Sequence, residues 1–149
     1  MLKNRSILVT GGARGLGAEI AKSVSEKGAK VIIADINTQE GQQTANKLNA
    51  DFFYVDLEDS SSIQKLIKSV SKTFNGKLDG LVNNAAIATG IGGIQFEDID
   101  LTSWDKVMRV NVRGTWLMTK AAAPLLRASK SGRIVNISSD TALWGAPLL

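Results

Sequence analysis

The stretch Ile7-Leu8-Val9-Thr10-Gly11-Gly12-Ala13-Arg14-Gly15-Leu16-Gly17 carries the strongest fold signal in the sequence. It is a short apolar run followed by glycines and then by apolar residues at helical spacing. Glycines permit a tight turn between a strand and a helix and let a backbone approach a phosphate closely. The free N–H groups and the dipole at a helix N-terminus favour an anion there. We therefore expect a phosphate-binding turn at residues 11–17.

Apolar runs and helical patterns alternate along the rest of the chain. Four more apolar runs lie at 31–35, 52–55, 78–82 and 134–137. Such continuous runs are typical of parallel strands that are buried on both faces. Helical patterns lie between the runs, at 16–28, 37–48, 59–74 and 102–126. This order predicts right-handed crossovers and a parallel sheet with helices on both faces.

The predicted helices carry recognisable start signals. Three pairs have the spacing of an N-terminal cap: Asn37 with Glu40, Ser61 with Gln64, and Thr102 with Asp105. Pro124 lies near the end of the last helix, where it either kinks or closes that helix.

Composition excludes several classes of protein. The chain has 149 residues, 44% hydrophobic and 21% charged, which is typical of one globular domain. It has no apolar run near the roughly 20 residues of a spanning helix, and no signal peptide is expected. It contains neither cysteine nor histidine, which excludes thiol catalysis, a Ser-His-Asp triad and a histidine-ligated metal. The net charge of +4 is scattered, so we expect no nucleic-acid partner.

Two residues near the glycine turn bear on which nucleotide the site prefers. Asp35 ends the second apolar run, close to the spacing of about 20 residues at which a carboxylate bonds the adenosine ribose. Its charge would repel a 2′-phosphate. Arg14 could offset that repulsion, pair with Asp35, or bind a pyrophosphate oxygen. We expect NAD(H) to be preferred over NADP(H).

The spacing Thr-Gly-x-x-x-Gly-x-Gly at 10–17 resembles that of the short-chain dehydrogenase/reductase family. Four further segments carry the resemblance in order along the whole chain. They are Asp56-Leu57, Asn83-Asn84-Ala85-Ala86, Val110-Asn111-Val112-Arg113-Gly114 and Gly132-Arg133-Ile134-Val135-Asn136-Ile137-Ser138-Ser139. Ala86 replaces a glycine of the family pattern. The resemblance implies a Rossmann-like fold and a nicotinamide cofactor.

The resemblance also implies roles for particular residues. Ser139 would hold and polarise a substrate carbonyl, and Asn111 would hold a water in the catalytic site. The cofactor would contact Gly11, Arg14, Gly15, Leu16, Gly17, Asp35, Ile36, Asp56, Leu57, Asn84, Ala85 and Ala86. Asp56 has an alternative interpretation as a cap of the helix that follows it. No metal site is expected.

The family's proton donor has no counterpart in these residues. In the family it is the tyrosine of Tyr-x-x-x-Lys, a short distance after the serine, and the lysine lowers its pKa. The one tyrosine here is Tyr54, and Glu58 stands four residues later. A ketone reduced by hydride transfer needs an acid beside its oxygen. We therefore predict that these residues, which resemble the amino-terminal portion of a family member, do not turn over substrate by themselves.

These observations predict one domain over residues 1–149, an open, doubly wound α/β fold truncated after its fifth strand. The expected strand order is 3-2-1-4-5, with the fifth strand an exposed edge. The predicted function is an NAD(H)-dependent oxidoreductase acting on a small alcohol or carbonyl compound. The alternative is a noncatalytic dinucleotide-binding module, and a sugar-nucleotide epimerase is disfavoured by the glycine spacing. A cytoplasmic location is expected, and the resemblance implies a homo-oligomer that uses the long helix from Thr102.

Overall fold

The computed structural model describes residues 1–88, 90 and 92–145, and it has the predicted alternation of strands and helices. The strands in this range are β1 (Ser6–Thr10), β2 (Lys30–Asp35), β3 (Asp51–Tyr54), β4 (Gly80–Asn83) and β5 (Arg133–Asn136). The helices are α1 (Gly15–Glu26), α2 (Thr38–Leu48), α3 (Ser60–Thr73), α4 (Leu101–Val107), α5 (Thr115–Ala128) and α6 (Thr141–Trp144). None of these described helices is both long and apolar enough to cross a membrane.

All the strands are parallel and form one sheet in the order β3-β2-β1-β4-β5, which confirms the predicted doubly wound, Rossmann-like fold. Successive side chains of a strand point to opposite faces of the sheet, so each central strand contributes to two cores. Leu8 and Ile32 pack with α3 and α5, whereas Val9 and Ile33 pack with α1 and α2. Helices therefore cover both faces, and all four side chains are fully buried.

Aspartates, and not the predicted serine and threonine, cap α3 and α4. Asp59 accepts a hydrogen bond from Ser61 N at 2.7 Å, and Asp100 accepts one from Ser103 N at 2.9 Å. The predicted boxes that start at Ser61 and Thr102 are wrong, because both residues already lie inside a helix. A carboxylate also interacts favourably with the helix dipole, which favours the upstream aspartate as the cap. The hydrogen bonds from the two serines lower the pKa of both carboxyl groups.

The long helix predicted over 102–126 is interrupted in its middle. A π-helical segment, Met108–Gly114, joins α4 to α5, and such segments are frequent at functional sites. Pro124 lies inside α5 and does not close it, since the helix continues to Ala128. At Gly114 an added Cβ would lie 2.8 Å from Leu57 Cβ, so the π segment packs directly on the loop after β3.

β5 forms one edge of the sheet and is exposed along its length, as expected. Within the described residues it pairs only with β4. Ile134 and Val135 are 42% and 51% exposed, which is unusual for apolar residues of a parallel strand. Exposed strand edges offer unpaired backbone groups to another strand.

Asp79 joins β4 to β1 at the amino-terminal edge of the sheet. Its Oδ2 accepts a hydrogen bond from Ser6 N at 2.9 Å, and its Oδ1 accepts one from Arg5 Nη1 at 2.8 Å. The side chain is 18% exposed. Burial raises the pKa of Asp79, but the hydrogen bonds from Ser6 and Arg5 outweigh burial and hold that pKa below its ordinary value.

Replacing Asp79 with asparagine should lower the free energy of unfolding at pH 7 by about 1–2 kcal/mol, because charge-assisted hydrogen bonds are lost. Since folding lowers the pKa of Asp79, its contribution is complete above the unfolded-state pKa of about 3.9. The contribution is lost as the pH falls through the lower folded-state pKa.

Urea unfolding at neutral pH and below about pH 3 measures this difference. The gap between wild type and Asp79→Asn should shrink at the acidic pH, and an equal gap at both would contradict the prediction. Asp51→Asn is the matched control, because Asp51 is exposed at the start of β3. It should change the free energy of unfolding by less than about 0.5 kcal/mol.

Candidate functional site

The turn between β1 and α1 packs tightly against the loop after β4. Gly11 has a φ of +65°, and an added Cβ there would lie 2.7 Å from Ala85 Cα. An added Cβ at Gly17 would overlap the Gly11 carbonyl oxygen. Both positions therefore require glycine. Asn84 secures the same contact, since its Nδ2 donates to Thr10 O at 3.1 Å and to Gly11 O at 3.0 Å.

The N-terminus of α1 differs from the starts of α2, α3 and α4. In the part of the chain that the structure describes, Arg14 precedes α1 without a side-chain cap, and no acidic residue lies in its first turn. α2 is capped as predicted, because Asn37 Oδ1 accepts from Glu40 N at 3.1 Å. The first N–H groups of a helix have no partner within it. Those of α1 can therefore bind an anion at the glycine turn.

Asp35 ends β2 with both carboxylate oxygens oriented by backbone donors. Its Oδ2 accepts from Ala13 N at 3.0 Å, and its Oδ1 accepts from Asn37 N at 2.9 Å. A carboxylate oxygen has two acceptor sites, so each of these keeps one for a ligand. The half-buried carboxylate is thus held between the glycine turn and the start of α2.

Arg14 pairs with α2 and not with Asp35. Its Nε lies 3.7 Å from Glu40 Oε2, and its side chain is 79% exposed. Among the described residues, Glu40 provides the one carboxylate within 4 Å of this guanidinium. Pairing with Asp35, an alternative left open by the sequence, is not found, and the Asp35 carboxylate is engaged by backbone N–H groups instead.

The loop after β3 is fixed by contacts to α3 and to the π segment. Asp56 Oδ1 accepts from Glu58 N at 2.8 Å, and Asp56 N donates to Ser62 Oγ at 3.0 Å. The alternative interpretation of Asp56 as the helix cap is wrong, because Asp59 caps α3. Glu58 Oε1 accepts from Arg109 Nε at 2.8 Å, which ties this loop to the π segment.

A groove of about 380 Å³ follows the carboxyl ends of β1 to β4. The predicted cofactor contacts that line it are Gly11, Arg14, Asp35, Ile36, Asp56, Leu57, Asn84, Ala85 and Ala86. Gly15, Leu16 and Gly17 form the first residues of α1. Ligands of open α/β sheets bind outside the carboxyl ends of the strands, so this groove is the candidate site.

The sequence interpretation missed part of the groove wall, namely Val55, Glu58, Ile87, Lys106 and Val110. Three of these adjoin predicted contacts in the loops after β3 and β4, and extending each segment by one residue would have found them. Lys106 and Val110 lie one helical turn apart and are different. They reach the groove because the π segment, which continues α4, packs on the loop after β3, and no local pattern signals that packing.

The two predicted catalytic residues lie at the carboxyl edge of the sheet, Asn111 against the loop after β4 and Ser139 after β5. Asn111, in the π segment, bonds the loop after β4: its Oδ1 accepts from Ile87 N at 2.8 Å, and its Nδ2 donates to Ile87 O at 3.0 Å. Ser139 follows β5 and is exposed, with its Oγ 2.8 Å from Thr141 Oγ1. Within the described residues, neither Asn111 nor Ser139 lines the groove.

Comparison with known proteins gives a consistent result. The family model described as "short chain dehydrogenase" matches residues 5–149. The chain is 39% identical to 2-(S)-hydroxypropyl-CoM dehydrogenase 3 from Xanthobacter autotrophicus, over 99% of the chain. It is 38% identical to short-chain dehydrogenase reductase 5 from Arabidopsis thaliana, over 98% of the chain. The structure of 3-ketoacyl-(acyl-carrier-protein) reductase from Brucella melitensis, complexed with NADH, matches the whole chain at 30% identity with a TM-score of 0.93.

The chain spans only part of each of these proteins. It covers 58% of the Xanthobacter enzyme, 57% of the Arabidopsis protein and 62% of the Brucella reductase chain. The match nevertheless includes the glycine turn, the groove and the predicted catalytic residues. Because the family model covers nearly all of the sequence and the Brucella fold covers all of it, the chain belongs to the short-chain dehydrogenase family.

Proposed function

We propose that this chain is the dinucleotide-binding part of an NAD(H)-dependent oxidoreductase that interconverts an alcohol and a ketone or aldehyde. The observation that carries the proposal is the uncapped N-terminus of α1 beside the carboxylate of Asp35. The helix N-terminus suits a pyrophosphate, and the carboxylate suits ribose hydroxyl groups. The NADH bound in the similar Brucella reductase supports a nicotinamide dinucleotide.

The first turn of α1 and the residues that line the groove fit successive parts of such a ligand. The backbone at Gly15, Leu16 and Gly17 would bind the pyrophosphate. Asp35 and Ile36 would bind the adenosine ribose. The Asp56-Leu57 pair would contact the adenine, and the loop 84–86 would line the rest. When bound, the nicotinamide supplies or accepts the hydride.

Asp35→Ala should narrow the preference of the chain for NADH over NADPH. A carboxylate at about 4 Å from a 2′-phosphate repels it by roughly 1–4 kcal/mol, depending on the local dielectric. The substitution removes this repulsion together with the ribose acceptors, so NADH binding should weaken while NADPH binding improves. Nicotinamide fluorescence titration measures both Kd values.

The matched control is Asp51→Ala, at the opposite end of the strand next to β2, which should change neither Kd. Tighter binding of NADPH than NADH by the wild-type chain would overturn the assignment to NAD(H). Binding of neither nucleotide would overturn the proposed function itself.

We further propose that Ser139 and Asn111 assist catalysis without completing it. The Ser139 hydroxyl would donate a hydrogen bond to the substrate oxygen, where negative charge develops. Asn111 would hold a water, and its bonds to Ile87 order the loop after β4. A proton must also come from an acid within hydrogen-bond distance of the substrate oxygen. Tyr54, the one tyrosine in these residues, lies in β3, away from the segment after Ser139.

We therefore propose that these 149 residues bind the nucleotide without turning over substrate. By themselves they would then act as the noncatalytic dinucleotide-binding module that the sequence offers as an alternative. NADH absorbance should stay constant with a broad panel of ketones and aldehydes. A rate that Ser139→Ala abolishes would contradict this part of the proposal.

An apolar stripe along α4, the π segment and the start of α5 supports a homo-oligomer, such as a dimer or tetramer, for the whole family member. Its members are exposed and recur every three or four residues: Leu101, Trp104, Met108, Val112 and Trp116. Contiguous exposed apolar surface is typical of association sites.

The small alcohol or carbonyl substrate, the cytoplasmic location and the lack of a nucleic-acid partner stay predictions.

A further inference from the structure

Glu40 makes a contact that the proposed function does not use. Its side chain is 42% exposed, but one carboxylate oxygen, Oε2, is buried and accepts no hydrogen bond within the described part of the chain. The charged group beside that oxygen is the Arg14 guanidinium, with Nε at 3.7 Å. Arg14 and Asp35 both line the groove, whereas Glu40 is not among its lining residues. A buried carboxylate oxygen requires a compensating charge or donor.

The fold holds Glu40 in this place. Glu40 lies in the first turn of α2, where its backbone N–H donates a hydrogen bond to Asn37 Oδ1. Further along α2, Thr44 Oγ1 donates to Ala13 O at 2.6 Å. Asn37 N in turn donates to Asp35. Two of these hydrogen bonds fasten the α2 region to other elements, one to the glycine turn and one to the end of β2, so the start of α2 is held beside Arg14.

We propose that Glu40 is a positioning residue for nucleotide specificity, which acts on the 2′ position of the ribose through Arg14. This inference rests on the proposed function. A 2′-phosphate beside Asp35 requires a cation, and an arginine guanidinium matches phosphate geometry well. Glu40 neutralises Arg14 and draws its Nε toward α2. The negative charge of Asp35 then remains uncompensated, which disfavours NADP(H) relative to NAD(H).

Glu40→Gln in the full chain tests the proposal, because it removes the charge and retains the side-chain shape and the backbone cap. The ratio of Kd for NADPH to Kd for NADH should fall by roughly three- to fivefold, the upper part of the range that an exposed ion pair contributes. Kd for NADH should stay nearly constant. In the Arg14→Ala background, Glu40→Gln should leave this ratio unchanged, because Glu40 is proposed to act through Arg14. The four proteins form a double-mutant cycle that isolates this route.

Glu26→Gln is the matched control, since it makes the same charge change at the far end of α1, roughly 16 Å along the helix axis. At physiological ionic strength the Debye length is about 8 Å, so the Kd ratio of this variant should match that of wild type.

The outcomes separate the inference from the function on which it rests. An unchanged ratio in Glu40→Gln, even with a changed melting temperature, would mean that Glu40 has a structural role only, and it would overturn the inference. An equal fall of the Kd ratio in the wild-type and Arg14→Ala backgrounds would overturn the inference that Glu40 acts through Arg14. In both cases NADH binding still supports the proposed function. A wild-type chain that binds neither nucleotide would overturn both the proposed function and the inference about Glu40.

Discussion

Replacing Gly17 with alanine should abolish detectable NADH binding and lower the free energy of unfolding by about 3 kcal/mol. The added Cβ would overlap the Gly11 carbonyl oxygen and would lie 2.5 Å from Asn84 Nδ2. The first atom is backbone, so α1 must move away from the glycine turn. That movement displaces the N–H groups proposed to bind the pyrophosphate. Helix propensity opposes this effect, because alanine is favoured over glycine by about 1 kcal/mol in a helix.

Calorimetric titration with NADH and urea unfolding measure the two effects of Gly17→Ala. The control is Gly76→Ala, at a positive φ of +77° and with no atom within 4 Å of the added Cβ. It should cost about 1–2 kcal/mol through backbone strain and leave NADH binding unchanged. Binding of NADH by Gly17→Ala with wild-type affinity would show that the close approach of α1 to the turn is unnecessary.

Asn111→Ala should lower the free energy of unfolding by about 2 kcal/mol and release the loop after β4. Asn111 satisfies both the N–H and the C=O of Ile87, and each lost hydrogen bond costs about 1 kcal/mol, or more where the partner stays buried. Hydrogen exchange at the Ile87 amide, read by NMR, reports the loosening directly. We expect exchange at least about tenfold faster than in wild type, since each 1.4 kcal/mol is tenfold.

The control is Asn111→Asp, which keeps an oxygen acceptor for the Ile87 N–H and loses the donor to its carbonyl. Protection of the Ile87 amide should therefore persist in Asn111→Asp while stability falls. Undiminished protection of that amide in Asn111→Ala would contradict the prediction and would leave Asn111 without its positioning role.

The strands of this chain were predictable because their side chains report burial locally. Leu8, Val9, Ile32 and Ile33 form continuous apolar runs, and a strand with both faces covered by helices requires such runs. The helix starts were less predictable. Ser61 has a capping spacing, yet Asp59 two residues earlier forms the stronger cap because its charge also interacts with the helix dipole.

The site residues that lie at the carboxyl ends of strands were predictable from the sequence. Asp35 ends β2 and Asn84 follows β4, and the carboxyl ends of parallel strands meet at one edge of the sheet. The groove therefore brings together residues that are distant in sequence. Lys106 and Val110 were missed, because they reach the groove through the packing of the π segment on Leu57.

The sequence by itself determined the alternation of strands and helices, the glycine turn and the acid at the end of β2, because apolar periodicity and glycine requirements act over a few neighbouring residues. Only the tertiary structure decided that Arg14 pairs with Glu40 and not with Asp35, and that Asn111 bonds Ile87. Those partners lie on different elements, and a side chain chooses among several donors or acceptors by distance after packing. Local sequence patterns do not encode such distances.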